Sequence, residues 1–150
     1  MSKRTAIVAL AAAATSILAA GTGTAATAGC KAGVTSVDGS PARVFCGPAK
    51  ATVQTRGKTL SSRQGACDAA GGGLVVNIGT FVAGGTSKRP YFGLLVTSAR
   101  PGTYARQQLS YRSGAVHDAA FVTVKLKGSR GGTFAGTALG GGRVTGSFSC

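Results

Sequence analysis

The sequence predicts an all-β fold: an antiparallel sandwich or barrel-like sheet of six or more short strands, stapled by disulfides. Three observations carry this. The 150-residue chain holds 25 glycines and no glutamate, so helices lack their usual formers. Short β-branched and aromatic runs recur between Gly-rich turns. Four cysteines stand in a chain that begins like an exported one.

Residues 1–28 read as a signal peptide. Lys3 and Arg4 form a positive start, Thr5 to Ala20 an Ala-rich apolar stretch, and Ala26-Thr27-Ala28 a small-x-small cleavage site. The apolar stretch falls short of the roughly 20 strongly apolar residues of a membrane span. Residues 29–46 read as an N-terminal linker and 47–150 as one β-rich domain. Ala51 to Thr55 and Thr59 to Ser62 predict a hairpin around Arg56-Gly57-Lys58. Leu74 to Ile78 is a β-branched run between Gly71-Gly72-Gly73 and Gly79, and Tyr91 to Val96 starts directly after Pro90. Phe121 to Lys127 alternates most cleanly, with Val122, Val124 and Leu126 on one face. Thr133 to Leu139 and Arg143 to Cys150 form a last pair around Gly140-Gly141-Gly142. Ala69-Ala70 and Ala105 to Leu109 are assigned one helical turn each.

Setting Lys3 and Arg4 aside, 15 of the 17 basic residues remain against three acids, a net charge near +12. The only carboxylate side chains are Asp38, Asp68 and Asp118. Such an excess suits anionic lipids or acidic cell-wall polymers, and equally a merely solvated surface. Nucleic acid is a poor partner for an exported chain without an aromatic-basic platform.

The cysteines are Cys30, Cys46, Cys67 and Cys150, which allow three connectivities. Cys150 is placed to pin the last strand to the body. Were it joined to Cys67, the bridge would close a loop of about 84 residues and contribute on the order of 4–5 kcal/mol. Cys30 and Cys46 would then staple the N-terminal segment. No C-x-x-C pair occurs, so a zinc site is not expected. Cys30 has a second reading: Ala28-Gly29-Cys30 is a loose lipobox, in which Cys30 would be diacylated and tether the chain to a membrane.

The stretch Gly47-Pro48-Ala49-Lys50 through Arg56-Gly57-Lys58 to Cys67, then Val76-Asn77-Ile78-Gly79, resembles the mycobacterial 19 kDa lipoprotein antigen family. Phe121 to Gly128, Gly136-Thr137-Ala138 and Gly146 to Cys150 extend the likeness across 47–150. The resemblance implies an exported, antigenic, non-enzymatic β-domain held at the outer face of the cytoplasmic membrane by an acylated cysteine. It also implies a Cys67–Cys150 disulfide. This chain departs from the family in two ways. Thr27 stands where the family has a large aliphatic residue, and Lys31 to Phe45 is shorter than the family's linker. Acylation of Cys30 would leave Cys46 without a partner, so parity favours a freely secreted form.

Catalytic patterns are thin. Gly79 to Thr86 has P-loop spacing but Gly85 in the lysine position, leaving nothing to hold the outer phosphates. His117-Asp118 lacks a serine elbow and reads as a loop pair. Three isolated aspartates do not make a carboxylate dyad. Tyr91, Tyr104 and Tyr111, with Arg89, Arg100, Arg106 and Arg112, form a candidate binding surface. The expectation is a non-enzymatic envelope lipoprotein without cofactors, anchored through Cys30. The alternative is an extracellular binding module in which Cys30 and Cys46 are bonded.

Overall fold

The alternation read at 121–127 is a strand with two unlike faces: Val122, Val124 and Leu126 are buried, whereas Phe121, Thr123 and Lys125 are exposed. The same inward-outward pattern repeats around the molecule and fixes its architecture. The computed structural model describes residues 29–84 and 87–150; the segment read as a signal peptide lies outside the described residues. Ten strands occur in it: β1 Gly33–Val37, β2 Ser40–Phe45, β3 Ala49–Thr55, β4 Lys58–Asp68, β5 Leu74–Val82, β6 Tyr91–Val96, β7 Gly102–Ser113, β8 Val116–Leu126, β9 Gly131–Ala138 and β10 Arg143–Ser149. From β3 to β10 every strand pairs antiparallel with its sequence neighbour. β10 then returns to β3, from Val144 opposite Thr55 to Ser149 opposite Lys50. The sheet is therefore a closed eight-stranded up-and-down barrel.

Eight strands leave an interior that side chains can fill. Val53, Leu74, Val76, Ile78, Phe92, Leu94, Val122, Val124, Phe134 and Val144 fill it, each almost wholly buried. Small residues make room for the large ones. A Cβ at Gly146 would strike both the Phe134 ring and the Thr52 carbonyl, and Phe134 reaches on to Phe92 with ring centroids 5.9 Å apart. The buried Thr55 and Tyr111 hydroxyls bond each other at 3.1 Å. Several glycines are thus wall positions of the barrel rather than turn residues.

The segment read as a linker, 29–46, is instead structured from β1 onward. β1 and β2 form a hairpin around Asp38-Gly39, both at positive φ, the conformation a two-residue type I′ turn requires. β2 pairs with the second half of β5, from Ala42 opposite Val82 to Phe45 opposite Gly79. A small separate core of Val37, Ala42 and Val82 lies beneath it.

Of the two helical turns read from the sequence, the one near Ala69-Ala70 forms and the one at Ala105 to Leu109 does not. Ala70–Gly72 is one 3-10 turn, opened by the Asp68 carboxylate accepting from the Ala70 N–H at 2.8 Å. Residues 105–109 belong to β7, where the pairing register shifts between Tyr104 and Gln107. Arg106 sits there at φ 56°, the backbone of a β-bulge. The bulge turns Gln107 inward, where its side chain accepts from Thr97 N–H and donates to the Ala105 carbonyl. Closing the barrel thus overrides a local composition that suits a helix.

Candidate functional site

The state of the four sulfur atoms separates an acylated chain from a fully disulfide-bonded one. Cys67, near the end of β4, is bonded to Cys150 just beyond β10, bridging the two strands that flank β3. Cys30 is bonded to Cys46, closing the base of the β1–β2 hairpin. No free cysteine occurs among the described residues. A sulfur engaged in a disulfide has no valence left for the thioether of a diacylglyceryl group.

The remaining sequence candidates scatter. His117 and Asp118 lie within β8, not in a loop, because the β7–β8 turn is confined to Gly114-Ala115. Asp118 is a structural clamp. Its Oδ2 accepts from the Arg56 guanidinium at 3.0 Å and its Oδ1 accepts from Gly140 N–H at 3.1 Å, while Arg56 also donates to the Gly140 carbonyl. Three hairpin ends are thereby tied together at one end of the barrel. Gly79 of the P-loop-like stretch is a strand residue at φ 86° where β5 passes from β4 to β2, and a Cβ there would strike the Pro90 carbonyl. Gly85 and Thr86 lie outside the described residues. The tyrosines do not share a surface: Tyr111 points into the core, Tyr104 donates to the Arg100 carbonyl, and Tyr91 lies on the outside of β6. No cluster of three His, Cys, Asp or Glu side chains able to hold a metal occurs among the described residues. Among them, too, no helix is long and apolar enough to cross a membrane.

What the register does assemble is two unlike outer faces. On β4, β3, β10, β9 and β8 it aligns Ser61, Thr52, Ser147, Thr133 and Lys125 in one row. The next row is Thr59, Gln54, Thr145, Ala135 and Thr123. Lys50 stands opposite Arg63, and Arg143 opposite Thr137. Arg56, Lys58 and Arg143, with Gln54, Thr59 and Thr145, line a shallow depression of about 350 Å³ on this side. Of the three carboxylates, only Asp118 reaches it, through Arg56. The face is a hydroxyl and cation surface.

The second face, on β5 to β8, is apolar. It carries a groove of about 300 Å³ with Val75, Leu95, Phe121 and Leu139 among its walls. Leu95, Phe121 and Leu139 remain 45%, 50% and 69% exposed, so these side chains are open to water. Tyr91 forms one wall; its hydroxyl donates to Asn77 Oδ1 at 2.7 Å, and burial pushes the phenol pKa above its ordinary 10.0. Phe81 packs edge-on to Tyr91 at 5.4 Å, and Phe45, beneath the Arg43 guanidinium, lies 6.4 Å from it. None of this was legible from motifs, because each face is made by pairing between strands.

Fold and surface together define a side-chain-filled antiparallel β-barrel domain held by two disulfides. Comparison with protein-family models, with curated proteins and with solved structures returns no match to this chain.

Proposed function

We propose that this chain is an exported, oxidised binding module that diffuses freely and engages acidic polymers of the cell envelope, without catalysing a reaction. The Cys30–Cys46 bond carries this reading, because it occupies the one sulfur that an acyl anchor would need. The charge supports the choice of partner. Fifteen cations of the exported segment face three carboxylates, one of them held by Arg56, and rows of hydroxyls separate the cations on one barrel face. A polyanion lying across β10, β3 and β4 would meet Lys50, Lys58, Arg63 and Arg143 while the hydroxyls hydrogen-bond its backbone.

The anchored envelope lipoprotein is the competing reading, favoured by Ala28-Gly29-Cys30 and by the family resemblance. Fractionation separates the two. A freely secreted protein stays in the medium with or without Cys30→Ser, whereas a membrane-bound wild type released by Cys30→Ser would establish the anchor. Binding to immobilised polyphosphate tests the partner. Affinity should fall steeply with salt and drop roughly threefold to tenfold in the Lys58→Gln/Arg143→Gln double variant. Salt-independent retention would contradict the charge argument.

A further inference from the structure

Among the described residues β1 is the one strand with a single partner: β2 covers one of its edges and no strand pairs with the other. The hairpin register decides which groups that open edge presents. Val37 and Ser40 close the two-residue turn as a hydrogen-bonded pair, so bonded and non-bonded pairs alternate from there along β1. Gly33, Thr35 and Val37 bond to β2, whereas the N–H and C=O of Val34 and Ser36 point the other way. The far side of β2 agrees. Pro41, opposite Ser36, turns its carbonyl toward β5 and accepts from Ala83 N–H at 2.9 Å. Four backbone groups of β1 therefore face outward with no strand to bond.

Soluble proteins guard an open edge with a proline, a lysine or a bulge in the strand. Gly33-Val34-Thr35-Ser36-Val37 has none of these, and its register to β2 is unbroken. Its first four residues are all exposed. The Cys30–Cys46 bridge beyond one end and the Asp38-Gly39 turn at the other hold the strand extended before any partner arrives. Little ordering entropy is then left to lose on pairing.

We propose that this edge pairs antiparallel with the same edge of a second copy of the chain, about a two-fold axis at Thr35. In that register Val34 of each copy faces Ser36 of the other, and four hydrogen bonds satisfy every outward group. Thr35 meets Thr35 in the close, non-bonded position, a favourable cross-strand pair. Any extended segment could bond this backbone; the residues at the ends of the strand select the copy. Lys31 precedes β1 and Asp38 follows it, both exposed and neither in an ion pair among the described residues. Antiparallel pairing sets Asp38 opposite Ala32 of the second copy, beside its Lys31, and does so twice by symmetry. The pairing uses no residue of the polyanion-binding face.

Sedimentation of the purified, oxidised protein at about 0.15 M salt tests this, because repulsion between the two net charges is then largely screened beyond ~8 Å. Five residues a side make a small, transient interface, so dimer should appear between about 10 μM and 1 mM. Val34→Pro removes an outward N–H that β2 does not use, and should weaken association at least about tenfold while the barrel stays folded. Lys31→Asp and Asp38→Lys should each dimerise more weakly than wild type, and an equimolar mixture of the two should recover roughly wild-type association, since every end is again paired. Thr35→Cys should cross-link to itself on mild oxidation at least about tenfold faster than Val34→Cys or Ser36→Cys, because only position 35 meets its own copy. A monomer throughout that range would overturn the assignment and leave the edge to a foreign strand. Unchanged association in a folded Val34→Pro, a mixture no stronger than its components, or equal cross-linking at 34, 35 and 36 would also overturn it. So would a dimer whose amide shifts centre on Leu95 and Phe121, which would place the contact at the apolar groove.

Discussion

The closed barrel and the hairpin in front of it are both built from short strands, and each has its own disulfide. They treat their edges differently. β3 to β10 close on themselves, so no strand of the barrel ends at an unpaired edge, and the interior fills with large apolar side chains. β1 and β2 add on to the far half of β5, bury only Val37, Ala42 and Val82, and leave Val34 84% exposed. The difference assigns different work to the two bridges. Cys67–Cys150 reinforces a structure that already has a core, whereas Cys30–Cys46 helps keep a nearly coreless hairpin in place.

The long bridge carries the largest expected effect on the barrel. Replacing Cys67 and Cys150 together by Ser frees a sequence separation of 83 residues, and unfolding in denaturant should show a loss of about 4–5 kcal/mol. A loss below about 1 kcal/mol would mean that barrel closure alone sets the stability. Gly146→Ala comes next. Its Cβ meets the Thr52 carbonyl and the Phe134 ring, so the strain should cost about 1–3 kcal/mol, read as a lowered denaturant midpoint at constant slope.

Removing Cys30 and Cys46 should loosen the hairpin and leave the barrel intact. The short span of 16 residues makes the effect local: amides of β1, β2 and 79–82 of β5 lose exchange protection, while those of β7 and β8 keep it. Uniform loss across both regions would show that the hairpin and barrel unfold as one unit. The Arg56–Asp118 clamp ranks lower. Arg56 is half exposed, so Arg56→Ala should cost only about 0.5–1 kcal/mol despite its second bond to the Gly140 carbonyl.

Tyr91 gives the smallest effect, at alkaline pH. Its pKa is raised by burial, so its contribution to stability is complete below pH 10.0 and fades as pH rises through the folded value. Thermal unfolding of wild type should fall more steeply above pH 10 than that of Tyr91→Phe. Parallel curves would remove Tyr91 as the cause.

The barrel strands were legible where a single strand carries its own signal. Val122, Val124 and Leu126 alternate with exposed neighbours, and Tyr91 to Val96 begins cleanly after a proline. β7 was not, because Ala105-Arg106-Gln107 has helical composition and only the bulge at Arg106 reconciles it with its partners. β1 and β2 were passed over although Asp38-Gly39 is a strong hairpin signal; their apolar content is too slight to mark strands by pattern alone. The apolar outer groove was beyond reach for a different reason. Gly93, Ser110 and Ala119 are unremarkable along the chain and become a floor only when three strands pair in register.

The sulfur of Cys30 is either half of a disulfide or the attachment point of a lipid, and the intact mass of the protein recovered from the producing cell distinguishes the two. Under the secreted reading the mature chain begins at Gly29, and its mass rises by about four hydrogens on reduction as two disulfides open. A chain beginning at Cys30 and heavier by a diacylglyceryl group would contradict it and return the protein to the membrane.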